Sequence, residues 1–208
     1  MNNRTLISLS GPDAFDFLQG LITNDVAKTK DGLVYAALLT PQGKYIADFF
    51  VAAQDDALLI DVAQSHAAML AQRLTMYRLR ADVQIAQAPL IVSRGTGPAP
   101  ERALPDPRHT ALGWRLIADS DQSDGTDWDA LRVAHVIPET GIELTPDTYI
   151  LEAGFEYLNG VNFRKGCYVG QEIAARSNHK TALKTGLVQV SMNGAVERGP
   201  AIHAHGRH

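Results

Sequence analysis

Three apolar runs, Leu33 to Leu39, Tyr45 to Ala52 and Ala57 to Val62, are separated only by short connections, the first being Thr40-Pro41-Gln42-Gly43-Lys44. Strands joined so closely must pair antiparallel, because a parallel neighbour needs a crossover of about a dozen residues or more. This meander sets the fold class. Leu6-Ile7-Ser8-Leu9 reads as another strand, followed by the turn Ser10-Gly11-Pro12-Asp13 and a helix from Ala14 to Leu21. Gln64 to Tyr77 places Ala67, Leu70, Leu74 and Tyr77 on one helical face. Val83-Gln84-Ile85, Leu90-Ile91-Val92 and Leu112 to Ala118 are further strands, with a Gly- and Pro-rich loop from Gly95 to Pro107. Trp128 to Val136 and Gln171 to Ser177 read as helices, Leu183 to Met192 as a strand, and Gly194 to His208 as a polar tail. Strands and helices interleave without a regular βαβ period. The expected class is α+β with antiparallel sheets.

The chain has 208 residues, 45% of them hydrophobic, enough for one large domain or two small ones with a true core. With 19 Lys and Arg against 23 Asp and Glu, the net charge is -4. No basic excess advertises DNA, and direct DNA binding is not expected. No apolar run approaches the roughly 20 residues of a membrane helix, and the N-terminus lacks a signal-peptide core. A soluble, cytoplasmic protein with no membrane partner is expected.

The single cysteine, Cys167, lies in Lys165-Gly166-Cys167-Tyr168-Val169-Gly170-Gln171-Glu172. Glycines allow close backbone approach or positive φ. A cysteine near a cation is biased toward thiolate, the reactive form. The thiol is either a small buried hydrophobe or a functional group. One cysteine cannot form an internal disulfide, and one thiolate cannot hold an iron–sulfur cluster unaided.

This motif, followed by Ala174-Ala175-Arg176, resembles the signature of the YgfZ family of folate-binding proteins. Ser10-Gly11-Pro12-Asp13-Ala14, Phe17-Leu18-Gln19-Gly20, Thr23-Asn24-Asp25-Val26, Pro41-Gln42-Gly43-Lys44 and Tyr77-Arg78-Leu79-Arg80 match in family order. The family is similar to the glycine-cleavage T-protein, an aminomethyltransferase that uses tetrahydrofolate. The resemblance implies two interleaved antiparallel α+β lobes around a central folate pocket. The first lobe would comprise residues 1–40 plus 119–182, the second 41–118, and 183–208 would be the remnant of a C-terminal β-barrel that is short or missing. It also implies a folate cofactor, and iron–sulfur assembly or client proteins as partners, RNA-modifying enzymes among the clients. The location would be the mitochondrial matrix in a eukaryote.

Carried onto this chain, Cys167 is the implied functional thiol. Lys165 either tunes it or meets a folate carboxylate or carbonyl. Tyr168, Gln171 and Glu172 share the motif, Glu172 serving either a ligand or a helix start. Arg176 either binds an anion or pairs with Glu172 four residues earlier. Asn24 belongs to the N-terminal match and joins the implied cofactor-binding set. Asp48 occupies the second place of an aspartate pair in the related transferases, where it is either a catalytic base or a satisfied strand carboxylate. The first place is Ala47. Trp128 matches a pocket tryptophan and either stacks on a pterin or packs. Ala134 stands where the transferases keep a pterin-binding glutamate. His135 follows, and an imidazole cannot accept two parallel N–H bonds. The implied function is a folate-binding auxiliary protein for iron–sulfur cluster assembly or repair. The alternative is a tetrahydrofolate-dependent one-carbon transferase.

Overall fold

Arg4–Ser10 forms strand β1, and Pro12 and Asp13 turn the chain into the short helix α1, Ala14–Gln19. The computed structural model describes residues 3–173 and 185–190. After a 3-10 turn at Val26–Lys30 come β2 (Val34–Leu39), β3 (Tyr45–Gln54) and β4 (Ala57–Ala63). Helix α2 spans Gln64–Arg78, and β5 (Gln84–Ala88) closes this half. The five strands make one antiparallel sheet in the order β2-β3-β4-β1-β5. The expected meander is present, with β1 added beyond β4. Residues 1–40 and those after 41 thus share one sheet, because β2 and β3 pair directly across the Thr40–Lys44 turn.

Both faces of this sheet are covered, so β2 and most of β3 are buried at every position instead of alternating. Successive side chains point to opposite faces. Ile7, Leu9, Ala36, Leu38, Phe49, Val51, Ile60 and Val62 pack with Leu18 of α1 and Leu70 and Leu74 of α2. Tyr35, Ala37, Leu39 and Phe50 point the other way, into a second core built with Ile137, Leu144, Ile150, Phe155, Leu158 and Tyr168. A fully buried ring such as Phe49 or Phe50 contributes about 1.5–3 kcal/mol.

A smaller antiparallel sheet, β6 (Ile91–Gly95), β7 (Leu104–Pro105) and β8 (Trp114–Ala118), runs in the order β6-β8-β7. Helix α3, Trp128–Ala134, follows, its first turn capped by the Asp127 carboxylate, which accepts from the Ala130 N–H. The class is α+β with antiparallel sheets, and no closed barrel occurs among the described residues. The strand expected over 183–192 is not formed by its described part. Residues 185–190 have no strand partner among the described residues, and Leu187, Val188 and Val190 are exposed. The helix expected from Gln171 begins there, and its continuation past 173 lies outside the described residues.

Candidate functional site

The second face of the large sheet carries charge as well as rings. Register pairs Tyr35 with Phe50 and Phe50 with Asp61, so these side chains and Asp48, two residues from Phe50, project together. Asp48 is buried and accepts three hydroxyls: Tyr45 at 2.7 Å, Thr140 at 2.6 Å and Tyr35 at 3.0 Å. Burial and the neighbouring carboxylate push both tyrosines well above their ordinary range. Asp61 accepts from Arg4 at 2.6 Å and from Arg115 at 2.8 Å. Arg115 also donates to Asp106 at 2.9 Å, and Arg108 binds both oxygens of Asp106, at 3.0 and 2.9 Å. Phe50 lies within 3.7 Å of Arg115, 4.8 Å of Arg108 and 5.7 Å of Arg4, ring centroid to guanidinium carbon. Burial opposes ionisation of Asp106, but Arg108 and Arg115 outweigh it and hold the carboxyl well below the usual range.

Next to this network lies a cleft of about 460 Å³, within the size range of small-molecule sites. Its wall includes Arg94, Arg108, Trp128, Arg132, Glu139 and Thr140. Thr140 places Asp48 one side chain behind that wall. Trp128 packs against the second core, and the Arg94 guanidinium lies 4.3 Å over its ring. Burial, reinforced by Arg115, Arg4 and Arg108, pushes Arg94 down to about 10.

The cysteine loop is built elsewhere, and Cys167 is not among the residues lining the cleft. Cys167 is exposed. Lys165, two residues before it, is only 7% exposed and donates to the carbonyls of Gln19 at 2.5 Å and Ile22 at 2.6 Å. Burial pushes its ammonium down to about 8, against the pull of Asp25. A cation thereby meets the carbonyl end of α1, which has no basic residue in its own last turn. Gly170 has φ +81, and a Cβ there would lie 2.6 Å from the Thr40 carbonyl oxygen. Among the described residues, Gly166 has nothing within 4 Å of such a Cβ. Tyr168 is 7% exposed, and its hydroxyl has no hydrogen-bond partner among the described residues. Burial pushes that phenol up to about 12.

No protein-family model matches the chain. It is 31% identical to the mitochondrial iron–sulfur cluster assembly factor IBA57 homolog of Neurospora crassa, over 88% of this chain and 51% of that protein. It is 28% identical to mitochondrial IBA57 of Mus musculus, over 93% of this chain and 66% of that one, and 28% identical to that of Homo sapiens, over 91% and 65%. Its homologues are IBA57 iron–sulfur cluster assembly factors. The chain spans about half to two thirds of the length of these curated relatives. Among solved structures it is similar to the glycine cleavage system aminomethyltransferase T of Bartonella henselae, with TM-score 0.41 and 18% identity over 44% of this chain and 26% of that one. That likeness is too partial to place any residue.

Beside the IBA57 relatives, the site residues named from the sequence fall into two places. Trp128 and, through Thr140, Asp48 belong to the cleft. Cys167, Lys165, Tyr168 and Gln171 belong to the loop, where the Gln171 side chain accepts from the Tyr168 N–H at 3.3 Å. Asn24 is buried and donates to the carbonyls of Tyr35 at 2.8 Å and Asn159 at 2.7 Å, tying Asn159 to β2. Glu172 is exposed at the start of the helical turn. Arg176 lies outside the described residues. Ala134 is exposed, and His135 stacks on His109 with ring centroids 4.4 Å apart. Sequence reasoning missed Arg94, Arg108, Arg132 and Glu139. The available signal was arginine inside apolar strands, at Arg94 and Arg115, where a charged side chain is unusual.

Proposed function

We propose that this protein supports assembly or repair of iron–sulfur clusters in client enzymes, RNA-modifying ones included, and that Cys167 offers one thiolate to the cluster being handled. What carries the reading is an exposed lone thiol on a loop anchored from behind by Lys165, in a chain whose homologues are named as cluster assembly factors. The cluster is cargo, and an assembly or client protein supplies the remaining ligands, since this chain has one cysteine. The mitochondrial matrix is the expected location in a eukaryote, the cytoplasm otherwise.

The cleft beside α3 is read as the folate site. Its residues fit such a ligand: Arg94 on Trp128 offers a flat cationic surface, and Glu139 a carboxylate on the same wall. When bound, tetrahydrofolate would supply ring nitrogens able to carry a one-carbon unit. The one-carbon transferase reading is weaker. Asp48 is already held by three hydroxyls behind Thr140, and Ala47 and Ala134 bring no carboxylate.

Anaerobic reconstitution of the full chain with ferric iron, sulfide and glutathione tests the thiol's role. Wild-type protein is expected to gain the visible absorption of a thiolate-bound cluster, and Cys167→Ala is not. Equal absorption in both sinks the reading.

A further inference from the structure

Among the described residues, the cleft beside α3 contains one cation, Arg94, with no acid at ion-pair distance. Asp127 is used in capping α3. Asp129 and Glu143 hold Arg132, each at 3.2 Å. Asp106 holds Arg108 at 2.9 Å. Glu139 remains, and its charge acts on Arg94, yet among the described residues no carboxylate stands within ion-pair distance of that guanidinium. The polar contact of Arg94 is made by its backbone N–H, to the Ser123 hydroxyl. Its side chain is half-buried and stacked on the Trp128 indole at 4.3 Å.

A guanidinium withdrawn from water without a counter-ion carries an unfavourable desolvation that a bound anion would offset. Stacking adds to this, because it holds the planar fork in one orientation while leaving its N–H donors available. The downward push on Arg94 has the same origin, burial first and three neighbouring arginines after it. The cleft's volume of about 460 Å³ suits a small molecule and not a protein segment.

We propose that Arg94 is the anion-receiving residue of this cleft and that its ligand is a small molecule bearing a carboxylate. This rests on reading the cleft as the ligand site. The carboxylate has two candidate sources, the glutamyl tail of a folate or a free dicarboxylate. In either case the ligand meets Arg94 as the outermost layer over Trp128, so the indole supports the cation and does not itself stack on the ligand.

Calorimetric titration of the full chain separates the cases, with three probes: tetrahydrofolate, a tetrahydropterin lacking any carboxylate, and glutarate. Wild-type protein is expected to bind tetrahydrofolate at least about tenfold more tightly than the tetrahydropterin. Arg94→Gln, with an unchanged melting temperature, should erase that difference, and Arg94→Lys should retain part of it. The comparison of probes on wild-type protein stands even where a variant folds poorly. Equal tetrahydrofolate affinity in wild type and Arg94→Gln overturns the inference and leaves the folate reading intact. Glutarate binding that depends on Arg94, without tetrahydrofolate binding, upholds the inference and removes the folate reading. No binding of any probe at millimolar concentration overturns both.

Discussion

The Lys165 ammonium donates to the Ile22 carbonyl at 2.6 Å, joining the cysteine loop to a position 143 residues earlier in the chain. With its second bond, to Gln19, this fixes the loop from the inside while the thiol two residues on faces solvent. Lys165 is therefore an anchor of the loop. Lys165→Met leaves two carbonyls without this donor and is expected to cost about 1–3 kcal/mol in denaturant unfolding. The pH dependence has a definite sign. The folded group sits near 8 and the unfolded one near 10.5, so between these values the unfolded chain binds the extra proton. Stability of wild type relative to Lys165→Met should rise across that window, by at most about 1.4 kcal/mol per pH unit. A fall over the same window would contradict the burial of an otherwise unpaired ammonium.

Asp106 holds two guanidiniums, those of Arg108 and Arg115, at 2.9 Å each. Asp106→Asn leaves both buried charges without that partner and is expected to destabilise by about 3–5 kcal/mol. Because the folded carboxyl is depressed below the ordinary aspartate value of about 3.9, its contribution is present above that value and is lost as pH falls below it. Acid unfolding of wild type should steepen there, and Asp106→Asn should lack that component. Identical acid transitions in the two proteins would show that the pair contributes nothing.

The two glycines beside Cys167 make an internal comparison. Gly170→Ala forces a side chain into a positive φ and against the Thr40 carbonyl, costing about 1–3 kcal/mol. Gly166→Ala meets open space and is expected to stay within about 0.5 kcal/mol of wild type. Melting curves of the two variants decide it, and a reversed order would mean that the loop is built differently.

Tyr168 buries a hydroxyl that has no partner among the described residues. Tyr168→Phe removes that orphan and is expected to leave stability unchanged or raise it by about 1 kcal/mol. A loss larger than about 1 kcal/mol would reveal a partner for the hydroxyl. If the same substitution weakened ligand binding at constant stability, the hydroxyl would belong to a binding surface, as the motif resemblance implies.

The sheet was legible where the sequence is locally self-consistent. The apolar runs around Thr40–Lys44 name β2, β3 and β4 because their turns leave no other pairing. Helix α2 was legible from Leu70 and Leu74, both fully buried. The strand expected over 183–192 rested on composition alone, and the described stretch of it pairs with no other described residues. Residues 137–173 carry little regular structure, yet they supply half of the second core, because Leu144, Ile150 and Phe155 pack from turns that have no period to detect. The cleft was only half legible. Trp128 and Asp48 were named, but Arg94, Arg108 and Glu139 come together only through strand register and the packing of one sheet on another. The cysteine motif was legible as a sequence, whereas the inward role of Lys165 depends on the far end of α1.

The thiol role proposed for Cys167 is tested in cells. The most direct measurement is rescue of iron–sulfur enzyme activity in a strain lacking this protein, with wild type, Cys167→Ala and Gly166→Ala expressed at equal levels. Wild type and Gly166→Ala are expected to restore activity, and Cys167→Ala is expected to fail. Full restoration by Cys167→Ala would contradict the account.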